Sequence, residues 1–153
     1  MKKKLSLLLA LLMLTSIAAL AACSKVEPIT VKVVINVAEE DDRGRREVTE
    51  TILETDFAYE SSTPTLNDLL VKLRDAGKIN LVTEADGDNV IITGINDLVP
   101  KTDETETTME DYDWYVYIND GDAEDNSLSS TKAIAANDTV TITYMHYSRN
   151  KEY

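Results

Sequence analysis

The 153-residue chain has one cysteine, one histidine, five glycines and three prolines. A lone cysteine, Cys23, can form no intrachain disulfide and no Cys-based metal site. A lone histidine, His146, leaves no second imidazole for a metal cluster. The scattered glycines make no phosphate-cradling loop. Positive charge is scarce as well: 15 Lys and Arg stand against 28 Asp and Glu, giving a formal net charge of −13. No basic stripe exists to neutralise phosphates, which argues against nucleic acid. Docking of the folded part on an anionic membrane surface is disfavoured for the same reason.

A long apolar run does occur, at the amino end. Met1-Lys2-Lys3-Lys4 is a positive head. Leu5 to Leu20 is rich in Leu, Ala, Ile and Met, and small Ala21 and Ala22 precede Cys23. Head, apolar middle and small-residue exit predict a secretory signal over residues 1–22. The competing reading is a retained transmembrane helix, which needs about 20 apolar residues. The strongly apolar part is shorter than that, and polar Ser24-Lys25-Val26-Glu27 follows at once. Loss of Lys2, Lys3 and Lys4 would make the remaining chain three charges more negative.

Leu20-Ala21-Ala22-Cys23 resembles the lipobox of bacterial lipoproteins at all four positions. The resemblance implies diacylglyceryl transfer to the Cys23 thiol, cleavage before it and acylation of the new amino terminus. Each buried methylene contributes about 0.8 kcal/mol, so two or three acyl chains hold where one is marginal. Membrane lipid is then a partner through Cys23, and the localisation is the extracytoplasmic face of a cell membrane. Residues 23–29 are the tether. About 130 residues remain, enough for one domain.

Within that domain, residues 30–147, Val31, Val33, Ile35 and Val37 alternate in a half-buried strand. Glu39 to Arg46 reads as a charged turn. Glu47 to Tyr59 returns as a second strand, with Ile52-Leu53 breaking the period at an expected bulge. Leu66, Leu69, Leu70 and Leu73 follow the helical spacing. Thr65 and Asp68 suit a capping box at its start, and Gly77 can end it. Ile79–Thr83 and Asn89–Ile95 read as short strands joined by Glu84 to Asp88. Thr102 to Asp113, acidic and without periodicity, reads as a surface loop. Trp114, Val116 and Ile118 form one face of a strand, with Tyr115 and Tyr117 on the other. Val140, Ile142, Tyr144 and His146 form one face of the last strand, opposite Thr141, Thr143, Met145 and Tyr147. Residues 148–153 are a tail. Strands, helix, then more strands predict an α+β fold with the helix on one sheet face.

Four segments are similar to the transcobalamin C-terminal-like domain of bacterial surface proteins. They are Thr63 to Leu70 at the start of the helix, Asn89 to Leu98, Trp114 to Asp120, and Asn137 to Tyr144. Asp97, Asp120 and Asn137 stand where that family usually has glycine; Asp and Asn tolerate positive φ better than most residues. The resemblance implies a β-grasp-like fold, a mixed sheet with one amphipathic helix packed on a face. In transcobalamin and intrinsic factor such a domain helps close over a corrinoid.

No catalytic constellation stands out. His146 lies on the apolar side of its strand, where a packed or hydrogen-bonded histidine is the plainer explanation, and no nucleophile motif surrounds any serine. The loop from Asp120 to Asn126 crowds oxygen ligands suited to calcium, but EF-hand spacing is absent and a solvated turn explains it as well. The tyrosines are the better lead. Tyr112, Tyr115, Tyr117, Tyr144 and Tyr147 concentrate in the last two strands, and tyrosine combines contact area with a polar handle. Tyrosine also forms strands well in its own right. Tyr115, Tyr117 and Tyr147 are the candidate ligand-binding residues. The expectation is a non-catalytic extracytoplasmic binding domain without cofactor or metal. It would capture a small nutrient such as a corrinoid for a transporter. The alternative is a protein-interaction or envelope-structural module with an envelope protein as partner.

Overall fold

In the computed structural model, residues 26–41, 43–87, 89–121 and 127–150 are described. Residues 1–25, with the expected signal and Cys23, lie outside them, as do 122–126 of the acidic loop and 151–153. Among the described residues, no helix is long and apolar enough to cross a membrane.

The apolar alternation after Pro28 becomes β1 (Ile29–Glu40), whose Val31, Val33 and Ile35 are fully buried. The chain turns at Asp41, whose carboxylate accepts the backbone N–H groups of Arg43 and Arg45, with Gly44 at φ +73°. It returns as antiparallel β2 (Arg46–Tyr59). Leu53 pairs with Ile35 and Thr51 with Asn36, so Ile52 is the extra residue of a bulge where one was expected. A second bulge follows, because Glu50 pairs with Val37 and Val48 with Ala38. Bulges re-aim side chains. These two bring Val48 opposite Ala38 and Arg46 opposite Glu40 on the same sheet face.

The helix is α1 (Leu66–Asp75), and its four leucines at helical spacing are all buried. Thr65 caps it by accepting the Asp68 N–H at 3.2 Å. The capping box is only half made, since Asp68 Oδ2 is buried with no hydrogen-bond partner. Further orphan donors of the first turn are met from outside: Leu66 and Asn67 donate to the carbonyls of Lys132 and Ser130. Gly77, at φ +66°, ends the helix.

Two short strands follow, β3 (Leu81–Asp86) and β4 (Asn89–Ile95), paired with each other as a separate two-stranded sheet. Here β3 starts later and ends later than the periodicity predicts, because Asp86 pairs with Asn89 and leaves only a two-residue connection.

Thr102 to Asp113 is not a loop. It forms β5 (Lys101–Glu104) and the first half of β6 (Thr108–Ile118), closed by Thr105 N–H bonding to the Thr108 carbonyl. The acidic run misleads because β5 is an edge strand exposed at all four positions, so no buried face imposes a period. The last strand, β7 (Thr139–Asn150), continues past Tyr147 into the segment expected to be a tail.

The main sheet has the order β2-β1-β7-β6-β5. Central β1 and β7 run parallel and the other neighbours antiparallel, so the sheet is mixed. One face meets α1, the β3-β4 hairpin and the segment around Leu128 and Ile134 in a single hydrophobic core. Trp114 Nε1 donates to the Leu98 carbonyl and the Tyr144 hydroxyl to the Val99 carbonyl, strapping the hairpin exit onto the sheet. Among the described residues the fold is α+β, with one helix on one sheet face.

Candidate functional site

Alternation sends the side chains of Asn36, Ala38 and Glu40 from β1, and Thr141, Thr143, Met145 and Tyr147 from β7, away from the helix. Tyr115 pairs with Thr143 and Tyr117 with Thr141, so the two β6 tyrosines join that outer face. All three candidate tyrosines therefore share one surface, as expected. They are half-buried rather than fully exposed. Met145, which alternation places beside them on the same face, is 1% exposed.

The outer face carries polar couplings. Tyr115 and Tyr147 meet edge to face, with ring centroids 5.8 Å apart. Burial pushes the Tyr147 phenol well above its ordinary pKa, and the hydrogen bond with Tyr115 adds to the rise. Arg46 Nη1 donates to the Tyr117 hydroxyl, and the guanidinium lies 5.3 Å from the Tyr117 ring centroid. Its Nε donates to Glu40 Oε2 at 3.2 Å. Burial raises the Tyr117 pKa as well, with the Arg46 charge working against the rise. Arg46 is thus spoken for twice, by a carboxylate and a phenol.

Two depressions open on this face. One is a wide groove of about 950 Å³ that reaches round the β5 edge, bordered by Glu40, Lys101, Tyr112, Tyr115, Tyr147 and Arg149. The other is a smaller, open depression of about 370 Å³ bordered by Asn36, Ala38, Arg46, Tyr117, Thr143 and Met145. Asn36 is 7% exposed, and its Oδ1 has no hydrogen-bond partner. The sequence analysis passed over this residue. Its signal was present: an asparagine interrupts Val33-Val34-Ile35 and Val37-Ala38, and asparagine is depleted in strands.

Elsewhere, His146 is held by Glu110 at 2.8 Å and stacks on Tyr112 at 4.4 Å between centroids, on the helix side of the sheet. That is the packed, hydrogen-bonded histidine of the plainer explanation. Lys101 Nζ covers the far side of this cluster, 4.3 Å from the Tyr112 centroid. Among the described residues no group of three or more acidic, His or Cys side chains is arranged to hold a metal. Asp120 is described, but the rest of its acidic loop, 122–126, is not.

No protein-family profile matches the chain, and no curated protein matches it either.

Proposed function

We propose that this chain is a lipid-anchored, extracytoplasmic binding protein. Its domain would be β-grasp-like and of the transcobalamin C-terminal-like kind. The observation that carries the binding reading is the convergence of Tyr115, Tyr117 and Tyr147 around two depressions on a sheet face with no helix over it among the described residues. Aromatic rings with phenolic rims suit recognition at low entropic cost. On this reading the chemistry is binding rather than catalysis, with neither cofactor nor metal; His146 is held by Glu110 and stacked on Tyr112, which itself borders the wide groove.

Two observations support the family part. The sheet order, with the first and last strands parallel at its centre and the helix on one face, suits a β-grasp. Asp97, Asp120 and Asn137, standing where the family has glycine, have φ values of +68°, +55° and +70°. Lipobox-like Leu20 to Cys23 supports the anchor and the membrane location.

The occupant on this reading is a small molecule passed to a transporter, a corrinoid being the first to try. The wide polar groove at Tyr115 and Tyr147 favours a second reading, contact with an envelope protein. The test titrates the domain from Ser24 onward with cyanocobalamin, then repeats it with Tyr115→Ala and Tyr117→Ala. Each variant should weaken binding by roughly 1 to 3 kcal/mol. Binding that ignores both substitutions rejects the tyrosine face. No binding by the parent rejects the corrinoid and leaves the protein partner.

A further inference from the structure

The cavity beside Tyr117 has a chemistry of its own. Its base is apolar, made by Ala38 at 2% and Met145 at 1% exposure. In that base sits Asn36, in register with Thr143 across the parallel strands. A buried acceptor left unpaired loses the hydrogen bonds it made to water, a cost of about 1 to 3 kcal/mol. Valine there would fit the strand and avoid that cost. A residue that breaks the local pattern without a structural return marks a functional position.

The surroundings select what can fill the cavity. The charge of Arg46 is paired with Glu40, and its Nη1 donates to the Tyr117 hydroxyl, which weakens its pull on an incoming anion. Asp120 stands at the rim, and the chain as a whole carries −13. Long-range repulsion therefore disfavours anions relative to neutral or positive ligands. The volume of about 370 Å³ matches roughly a dozen water-sized groups, given about 30 Å³ for each. One ring with a short polar arm fits inside; a whole corrinoid would only rest on the face.

We infer that this cavity seats a small molecule presenting an N–H donor to Asn36 Oδ1 on a compact apolar body, an amide or amine rather than a carboxylate or phosphate. The inference rests on the outer sheet face being the binding surface, and it adds the ligand's chemical class.

Three probes with the same ring separate the possibilities: benzamide, benzylamine and benzoate. Each is titrated into the isotope-labelled domain from Ser24 onward, with backbone amide and methionine methyl shifts followed by NMR. Benzamide and benzylamine should shift Asn36, Thr143 and Met145, while benzoate leaves them in place. Asn36→Val should weaken benzamide binding by roughly tenfold or more, the worth of one hydrogen bond and the desolvation it offsets. The comparison of the three probes on the unaltered protein stands even if that variant folds poorly. Benzoate binding as well as benzamide, or a folded Asn36→Val that binds benzamide undiminished, overturns the inference. Shifts confined to Tyr115 and Tyr147 overturn it too, but leave the face as the binding surface. No shift anywhere on the outer face overturns both.

Discussion

Asn36 lies opposite Thr143 where β1 and β7 run parallel, and both are nearly closed to solvent on the sheet face away from the helix. The two central strands, flanked by Tyr115, Tyr117 and Arg46, bury these polar side chains on a face that no helix covers among the described residues. The pairing makes that face a built surface instead of a solvated back. Its consequences, and those of the helix-side core, are open to measurement.

Leu69 is fully buried in the stripe that seats α1 on the sheet. Leu69→Ala should lower unfolding free energy by about 2 to 5 kcal/mol, the usual cost of a buried leucine truncation. Chemical denaturation followed by circular dichroism measures it. An unchanged midpoint would mean that the helix does not hold the core.

Gly94 is required by space. A Cβ there would run into the Leu98 carbonyl oxygen and lie 2.9 Å from Val99 Cγ1. Gly94→Ala should therefore cost about 1 to 3 kcal/mol through overpacking. The turn carrying Asn96 and Asp97 should loosen with it, visible as faster amide exchange at Leu98. Exchange and melting both at parent values would contradict the close approach.

Tyr59 is 5% exposed, its hydroxyl has no hydrogen-bond partner, and burial pushes its pKa up to about 12, with the Asp68 carboxylate adding to the rise. The fold thus favours the neutral phenol. Its contribution to stability is complete below the ordinary value of 10.0 and is lost as pH rises from there through about 12. Stability should fall over that range. Tyr59→Phe should flatten part of the fall while costing little near neutrality. An alkaline limb identical in the variant would sink this assignment.

Anchoring has its own test. Cys23→Ala should abolish incorporation of labelled fatty acid and leave the leader uncleaved by the lipoprotein route. Continued labelling of the variant would reject the lipobox reading.

The helix was legible because its leucine stripe, Thr65 cap and Gly77 stop all agree on one short segment. The bulge at Ile52 was legible because one residue out of phase is visible within a single strand. β5 was not, since an exposed edge strand owes nothing to a period. The shared face of Tyr115, Tyr117 and Tyr147 followed from alternation alone. The Asn36 cavity did not. Its walls come from four strands distant in sequence, and only the parallel register of β1 with β7 and the two bulges in β2 bring Asn36, Thr143, Val48 and Arg46 together. Pairing of that range is set by the whole sheet and leaves no mark within any one strand.

The most direct measurement is the melting temperature of Asn36→Val. If Asn36 is kept for a ligand, valine removes an unpaired buried acceptor and suits the strand better, so the variant should melt at or above the parent temperature, with a stability gain of up to about 3 kcal/mol. A variant destabilised by a comparable amount or more would make Asn36 a structural residue and contradict the reading that it is kept for a ligand.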